Sequence, residues 1–354
     1  MDRSRLGVAV VGAGYWGPNL VRNFLGSADW NLVAVCDLDV ERARKIVGGR
    51  SEVLCTSSLE EVLARDDVDA VAIATPARTH QGIALAALRA GKHVLVEKPL
   101  ADRIESGREM VEAARSGGLV LMADHTYCYT PAVSKIRELV HNGELGEILF
   151  IDSVRINLGL VQPDVDVFWD LAPHDLSVFD FILPGGLRPE GVSAHGADPL
   201  GAGKACVGYL TLPLAGGAIA HVHVNWLSPT KIRQMVIGGT ERTLVWDDLN
   251  PQQRISVYDR GVDLAGQTSN GADRTAATIS YRLGDTWAPA LPELEALGAM
   301  VTEFADSIRE DRPSRTDGRA GLRVLSVLTA ASRSLAERGS MVDVPADDFT
   351  EVPA

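Results

Sequence analysis

The sequence has few cysteines, no long apolar run and no excess of positive charge. Only four of its 354 residues are cysteine, and their spacing matches neither a metal site nor a disulfide framework. No apolar stretch approaches the ~18–20 residues that span a bilayer, and the N-terminus offers only a short apolar run before glycines. These absences predict a soluble protein of the reducing cytoplasm, without a membrane partner.

The charge balance argues against a second class of partner. Acidic residues outnumber Lys and Arg by 47 to 34, which gives a formal net charge of -13 at pH 7. Such a surface repels polyanions, so we expect no nucleic-acid partner, and an anionic small substrate needs a local basic pocket. The length of 354 residues exceeds one ordinary core of ~100–150 residues, so two domains are expected.

The stretch from Gly7 to Asp37 reads as strand, tight turn, helix and strand. Its turn contains three glycines and two aromatic residues: Gly12, Gly14, Tyr15, Trp16 and Gly17. The first glycine permits a sharp turn, the second lets the backbone approach a pyrophosphate, and the third lets the helix pack on the sheet. Asp37 ends the second strand, where its carboxylate accepts the ribose hydroxyls of NAD and repels the extra phosphate of NADP. We predict an NAD site, with NADP less favoured.

Strands and helices alternate as far as residue 124, which predicts a parallel sheet. Ligands of such sheets lie beyond the carboxyl ends of the strands. The residues at those ends are Asp37, Thr75, Pro76, Glu97 and Lys98. Ser57 with Glu60 predicts a capping box for the third helix, and Thr79 is predicted to cap the fourth.

After residue 125 the pattern changes to one helix near 132–142 and then to strands without intervening helices. The clearest strands are 148–158, 205–212, 218–227, 234–246 and 255–259. They predict a mostly antiparallel sheet with one free face. Residues 261–290 look irregular, and two late helices precede a short strand near 341–344. The predicted fold is α/β, with a doubly wound parallel domain over 1–124 and an α+β domain over 125–354.

Four motifs follow one another along the chain: the glycine turn, Ala74-Thr75-Pro76 with His80, Glu97-Lys98-Pro99, and Asp170-Leu-Ala-Pro-His174. Together they resemble the glucose-fructose oxidoreductase, inositol dehydrogenase and MocA (Gfo/Idh/MocA) family over nearly the whole chain. The resemblance implies an NAD-dependent oxidoreductase with an N-terminal Rossmann domain and a second domain that binds substrate and forms a homodimer or homotetramer. It also implies a cis peptide before Pro99 and cofactor contacts from all of the N-terminal motifs.

A narrower resemblance concerns the substrate. Asn157-Leu-Gly159, Trp169–Asp175 and Asn225-Trp226 with Lys231 and Arg233 are similar to family members that act as nucleotide-sugar dehydrogenases at C3 of a pyranose. Many members carry an arginine two residues before the proline that opens the second domain. This chain has Tyr129 there, so the substrate contact of that arginine is not carried over.

Three residues are candidates for the chemistry of a secondary alcohol, which needs a base for its hydroxyl proton. Histidine titrates near ~6.5 and lysine near ~10.4, so an unperturbed lysine base at pH 7 costs roughly 4–5 kcal/mol. We therefore assign His174 as the base and Lys98 as the cation that stabilises the alkoxide. Asp170, four residues before His174, would orient His174, hold a sugar hydroxyl, or simply cap a helix. A nicotinamide charge beside Lys98 would reverse the first two roles.

Two further sets of polar residues alternate along strands. Ser153, Arg155 and Asn157 share one face, which is either a polar sheet surface or a substrate-binding stripe. Lys231 and Arg233 also alternate and are candidates to bind a diphosphate. His221 and His223 share a face but have no third ligand, so no metal site is expected.

Three alternatives to a sugar dehydrogenase or ketoreductase remain open. They are an NAD-dependent glycosidase with a transient redox step, a cyclitol (inositol) dehydrogenase, and a nucleotide-sensing protein without catalysis. Lys98, Asp170 and His174 together favour an enzyme, because a sensor needs none of them.

Overall fold

The computed structural model describes residues 5–265 and 278–345, which form two sheets with helices around them. The strands of the first sheet are β1 (Leu6–Val11), β2 (Trp30–Cys36), β3 (Leu54–Thr56), β4 (Ala70–Ile73), β5 (His93–Glu97) and β6 (Leu121–Asp124). Their order is β3-β2-β1-β4-β5-β6, and every pair is parallel. β4 is fully buried because helices cover both faces of the sheet. The predicted parallel sheet is confirmed.

The helices between these strands are α1 (Gly17–Gly26), α2 (Val40–Val47), α3 (Leu59–Leu63), α4 (His80–Arg89) and α5 (Ile104–Gly117). The predicted capping box of α3 is wrong by one residue, since Ser58 accepts the backbone N–H of Glu61 at 3.1 Å. The predicted cap of α4 is also wrong. Thr79 has a helical backbone, not the extended one of an N-cap, and its hydroxyl contacts Thr75 and Pro76 instead.

The second sheet has nine strands: β7 (Ile148–Leu158), β8 (Gly191–Ala197), β9 (Val207–Pro213), β10 (Ile219–Asn225), β11 (Leu227–Gly239), β12 (Thr243–Asp247), β13 (Ile255–Ala265), β14 (Thr278–Trp287) and β15 (Val342–Asp343). Their order is β14-β13-β12-β11-β7-β10-β9-β8-β15, and β7 with β10 is its parallel pair. A mostly antiparallel sheet is therefore confirmed. The irregular segment predicted over 261–290 is wrong where β13 and β14 pair, and residues 266–277 lie outside the described chain.

Four helices complete the fold: α6 (Pro131–His141), α7 (Val167–Ile182), α8 (Ala296–Arg309) and α9 (Gly318–Ala336). α8 returns to the parallel sheet, where Trp30 donates its indole N–H to the carbonyl of Val301 at 2.7 Å. α9 contributes Leu325 to the core of the parallel sheet and Leu328 to that of the large sheet. The two sheets are thus joined side by side. Within residues 5–265 and 278–345, no helix has the length and apolar character that crossing a membrane requires.

Candidate active site

The glycine turn has the shape that a dinucleotide requires. Gly12 has φ +106°, and a Cβ there would lie 2.5 Å from the carbonyl oxygen of Ala74. A Cβ on Gly17 would lie 2.3 Å from the carbonyl oxygen of Gly12, so α1 packs directly against the turn. A Cβ on Gly14 would have nothing within 4 Å, which leaves open space at the start of α1. The turn therefore fits a pyrophosphate held at a helix N-terminus.

Asp37 follows β2 and braces the same turn. Its Oδ2 accepts the backbone N–H of Ala13 at 2.6 Å, and its Oδ1 accepts that of Asp39 at 2.8 Å. The exposed guanidinium of Arg42 lies 3.9 Å from Oδ1. The carboxylate is thus held at the end of β2, where a ribose is expected. Tyr15, also predicted to contact the cofactor, is 96% exposed.

His80 lies behind the site. It is 1% exposed, with Nδ1 3.0 Å from the carbonyl oxygen of Pro99 and Nε2 2.8 Å from that of Thr75. Burial lowers the pKa of His80. The ring is buried between the loop after β4 and the loop after β5, and a neutral imidazole donates its single N–H to one of these two carbonyl oxygens. This burial corrects the predicted direct contact of His80 with the cofactor. The peptide between Lys98 and Pro99 is cis, as predicted.

A pair of carboxyl groups ends β5 and β6. Glu97 and Asp124 are register partners, and Asp124 accepts the Trp16 indole N–H at 3.2 Å and the Thr126 hydroxyl at 2.5 Å. Burial, and then the charge of Asp124, raise the pKa of Glu97 well above its usual range. Among the residues that the structure describes, buried Glu97 Oε1 has no hydrogen-bond partner. An unpaired oxygen at this edge of the sheet fits a polar group of the cofactor.

Lys98 and Asp170 form the ion pair at the centre of the site. Lys98 Nζ lies 2.9 Å from the carbonyl oxygen of Asp170 and 3.4 Å from its Oδ1. Asp170 Oδ2 accepts the indole N–H of Trp226 at 2.9 Å. α7 begins earlier than Asp170 and is capped by Asp166, which accepts two backbone N–H groups at 3.0 Å. The interpretation of Asp170 as a helix cap is therefore wrong.

His174 lies one turn after Asp170 on α7, as the spacing predicts. The two oxygens of Asp170 contact Lys98 and Trp226, so the predicted orientation of His174 by Asp170 is also wrong. The ring of Tyr127 packs edge-on against His174, with centroids 5.2 Å apart. His174 Nδ1 is buried and has no hydrogen-bond partner in the described part of the chain.

The electrostatic surroundings keep His174 neutral. Burial, and then the charges of Lys98 and Arg155, lower the pKa of His174 well below its usual range. A neutral imidazole is the form that accepts a proton, which agrees with the predicted role as base.

Arg155 is buried beside the site, where it contacts Asp175 on α7 and the ring of Tyr127. It is 3% exposed, and its guanidinium forms two hydrogen bonds with Asp175, at 2.8 and 3.0 Å, while lying 4.4 Å above the Tyr127 ring. Ser153 also contacts Asp175, at 2.9 Å. The predicted substrate contact of Arg155 is therefore corrected, because the guanidinium is buried and two of its donors bind Asp175 on α7. Asn157, next along the stripe, is half-buried at the strand end.

The predicted basic pair lies on β11. The register of β11 shifts between Leu227 and Ile232, and Lys231 is exposed within this irregular segment. Arg233 lies opposite Arg155 in the sheet, with Nη1 3.6 Å from Asp248 Oδ2. In the described part of the chain, no three His, Cys, Asp or Glu side chains could hold a metal ion.

Sequence reasoning missed Tyr127 and His125. His125 follows the register pair of Glu97 and Asp124, so it lies beside Lys98. Both its ring nitrogens are buried, and neither has a hydrogen-bond partner within residues 5–265 and 278–345. Burial, and then the Lys98 charge, lower the pKa of His125 to about 3. The rule that ligands lie at strand ends, which identified Glu97, could have identified His125.

Tyr129, which replaces the arginine of many relatives, points into the protein. Its hydroxyl lies 2.8 Å from Thr316 Oγ1, and the guanidinium of Arg315 lies 5.0 Å from the centre of its ring. No substrate contact is expected from this position.

Comparisons with known proteins agree with this geometry. A model of the oxidoreductase family with an NAD-binding Rossmann fold matches residues 6–125, and a model of the GFO/IDH/MocA C-terminal domain matches residues 133–245. The chain is 29% identical to UDP-N-acetylglucosamine 3-dehydrogenase of Acidithiobacillus ferrooxidans over 322 residues, 90% of this chain and 93% of the relative. It is 31% identical to D-glucoside 3-dehydrogenase of Escherichia coli strain K12 over 218 residues, 58% of this chain and 62% of the relative.

Solved structures show the same similarity. That of UDP-N-acetylglucosamine 3-dehydrogenase from Acidithiobacillus ferrooxidans has a TM-score of 0.78 at 25% identity and covers 95% of this chain and 99% of its own. That of GenD2 from gentamicin A biosynthesis, in complex with NAD, has a TM-score of 0.78 at 27% identity and covers 98% of each chain.

Proposed function

Since the chain belongs to the Gfo/Idh/MocA family of NAD-binding oxidoreductases, we propose that it transfers hydride between NAD and a secondary alcohol or ketone of a sugar. The best candidate is C3 of a nucleotide-linked pyranose, which makes the protein a 3-dehydrogenase or a 3-ketoreductase. The observation that carries this proposal is the convergence of Lys98, Asp170 and His174 at the carboxyl edge of the parallel sheet. Two relatives named as 3-dehydrogenases support the position on the ring.

The side chains divide the work as their surroundings dictate. Neutral His174 takes the hydroxyl proton in oxidation and returns it in reduction. The Lys98 ammonium stabilises the developing alkoxide, and Asp170 holds that ammonium in place. The glycine turn, Asp37, Thr75, Pro76 and Glu97 would hold NAD, with Trp16 fixed to Asp124 beside them. NAD, when bound, accepts or donates the hydride.

The nucleotide would bind at the end of the large sheet. Lys231 is exposed there, and Arg233 has only a long contact with Asp248. A diphosphate offers several acceptor oxygens, which replace the single carboxylate as partner of Arg233. Asn157 and Asp170 are the candidates to bind a sugar held between this end and Lys98.

We further propose residues 1–124 as the cofactor domain and 125–354 as the domain for substrate binding and oligomerisation. The free face of the large sheet exposes Tyr209, Ile219 and Ile232, which supports a homodimer or homotetramer formed through it. Each of the four cysteines is a free thiol, which supports a cytoplasmic location.

The test is NAD reduction, followed by absorbance, against a panel of UDP-sugars, TDP-sugars, free sugars and cyclitols. We expect a nucleotide sugar to give the highest kcat/KM, and deuterium at its C3 to appear in the NADH. Lys98→Met should still bind NAD but lose turnover. Cleavage of a glycoside without added NAD or accumulated NADH would instead identify a glycosidase, and preference for a cyclitol would overturn the sugar assignment.

A further inference from the structure

We infer that Trp226 is a positioning residue for the reaction, because its indole N–H fixes the carboxylate that in turn holds the Lys98 ammonium. The inference rests on the proposed function. Trp226 Nε1 donates to Asp170 Oδ2 at 2.9 Å, while Asp170 Oδ1 lies 3.4 Å from Lys98 Nζ. Each carboxylate oxygen therefore has its own partner, and turning the carboxylate disturbs both contacts.

The backbone around Trp226 holds the indole in this position. Trp226 is 1% exposed and lies between β10 and β11. Its N–H donates to the carbonyl of Cys206 at 3.0 Å, and its carbonyl accepts the N–H of Gly159 at 2.8 Å. A Cβ on Gly159 would lie 3.2 Å from Trp226 Cδ1 and 2.8 Å from Asn157 Nδ2. A methyl group at residue 159 would therefore press on the Asn157 amide and on the Trp226 indole.

The division of donors at Asp170 leaves Lys98 available to the substrate. Of the three N–H donors of an ammonium, one reaches the carbonyl of Asp170 at 2.9 Å and one has the long contact with Oδ1. The third has no partner within residues 5–265 and 278–345, so it is available to a substrate oxygen. Without the indole N–H, the unpaired oxygen of Asp170 would close on the ammonium, since the Asp170 side chain is only 19% exposed and has little water as a substitute.

The hydrogen bond itself can be tested without turnover. The protein is labelled with 15N at its six tryptophan indoles, and the Trp226 signal is assigned by its loss in Trp226→Phe. We expect Asp170→Ala to move the Trp226 indole proton upfield and leave that of Trp169 in place. Ser332→Ala is the matched control, because Trp169 donates to Ser332 at 2.8 Å and only its signal should move. If the chemical shift of the Trp226 indole proton is unchanged in Asp170→Ala, the inference is overturned.

The positioning role is tested by a double-mutant cycle on oxidation of the best substrate. We expect Trp226→Phe to lower kcat about 10- to 100-fold, which corresponds to one hydrogen bond to a charged group, while KM and NAD affinity stay within about twofold. In the Asp170→Ala background, Trp226→Phe should cost less than about twofold more, because its effect passes through Asp170. Trp169→Phe, which loses an indole hydrogen bond from α7 to the Ser332 hydroxyl on α9 and leaves Asp170 unchanged, should retain its kcat.

Three results would overturn the role: an unchanged kcat in Trp226→Phe, a loss confined to KM, or losses that multiply in the double variant. If Trp226→Phe does not fold, Gly159→Ala replaces it, because its methyl group would press on the indole and on Asn157. A moved Trp226 signal with a lowered kcat supports the role, and a moved signal with an unchanged kcat overturns it. If no sugar is oxidised, the proposed function fails, whereas the spectrum still decides whether Trp226 holds Asp170.

Discussion

His174 shows how burial sets a role at the scale of one residue. A histidine at its ordinary pKa would be partly charged at neutral pH, whereas here burial, the ammonium of Lys98 and the guanidinium of Arg155 all oppose the charged form. The structure thus keeps the His174 imidazole neutral beside the Lys98 ammonium, which supports the proposed assignment of His174 as the base.

The pH dependence of oxidation tests this arrangement. Because the pKa of His174 is lowered well below its usual value of ~6.5, we expect the acid limb of kcat/KM to lie below pH 6.5. His174→Asn should lower kcat about 100- to 10,000-fold and abolish that limb. A pH profile of both proteins at saturating NAD measures it, and a limb that persists in the variant would assign the base elsewhere.

Gly14 and Gly12 also show an effect of single residues, because they differ in the space around their Cα atoms. Of the two, only Gly14 faces open space. We expect Gly14→Ala to fold with an unchanged melting temperature but to bind NAD about tenfold more weakly or worse, because its methyl group occupies the approach of the pyrophosphate. Calorimetric titration with NAD measures the effect. Gly82→Ala in α4, where a Cβ also meets nothing within 4 Å, is the control and should bind NAD normally. If Gly14→Ala binds NAD normally, the pyrophosphate does not lie against this turn.

At the scale of elements, the cap of α7 positions the residues that we propose to be catalytic. Asp166 accepts the N–H groups of Phe168 and Trp169, which fixes the turn that carries Asp170. We expect Asp166→Ala to lower the free energy of unfolding by about 1 kcal/mol and also to lower kcat. Thr130→Ala, which removes the cap of α6, should cost similar stability at unchanged kcat. Urea titration and kinetics separate the two, and equal kcat in both variants would contradict this role of the cap.

The elements also show what the sequence can predict. Periodicity identified the parallel sheet, and the spacing of Asp170 and His174 identified their shared helix face, because both signals are local. The partner of Arg155 was not predictable, since Asp175 lies on another element and any polar stripe permits either a ligand or an ion pair. The caps failed for a related reason. Ser57 and Ser58 are adjacent serines, and only the backbone conformation selects the second.

At the scale of the whole molecule, α9 packs against the core of the parallel sheet and against the core of the large sheet. It thereby sets the distance between the carboxyl edge of the parallel sheet, where NAD is proposed to bind, and the large sheet. Lys98 follows a strand of the parallel sheet, whereas Asp170 lies on α7 and Trp226 lies between two strands of the large sheet. The ion pair of Lys98 with Asp170 therefore depends on how the part of the chain that forms the parallel sheet packs against the part that forms the large sheet.

Buried histidines link the stability of the whole molecule to pH. The pKa of His125 is about 3 in the folded chain because of burial and then the Lys98 charge, whereas an unfolded histidine titrates near ~6.5. Below pH 6.5 the unfolded chain therefore binds a proton at His125 that the folded chain does not bind. The contribution of His125 to the free energy of unfolding is complete above pH 6.5 and is lost as the pH falls toward 3. Between pH 7 and 5.5 the loss from this one group is about 1 kcal/mol.

We accordingly expect His125→Phe and His125→Gln to lose about 1 kcal/mol less unfolding free energy than the wild type between pH 7 and 5.5. Urea denaturation of the three proteins at both pH values measures the difference. The two variants will differ in absolute stability, since phenylalanine and glutamine fill the buried site differently, but the pH-dependent part should agree because neither side chain titrates. A wild-type curve parallel to both would mean that the ring at 125 reaches water and takes up a proton in the folded protein.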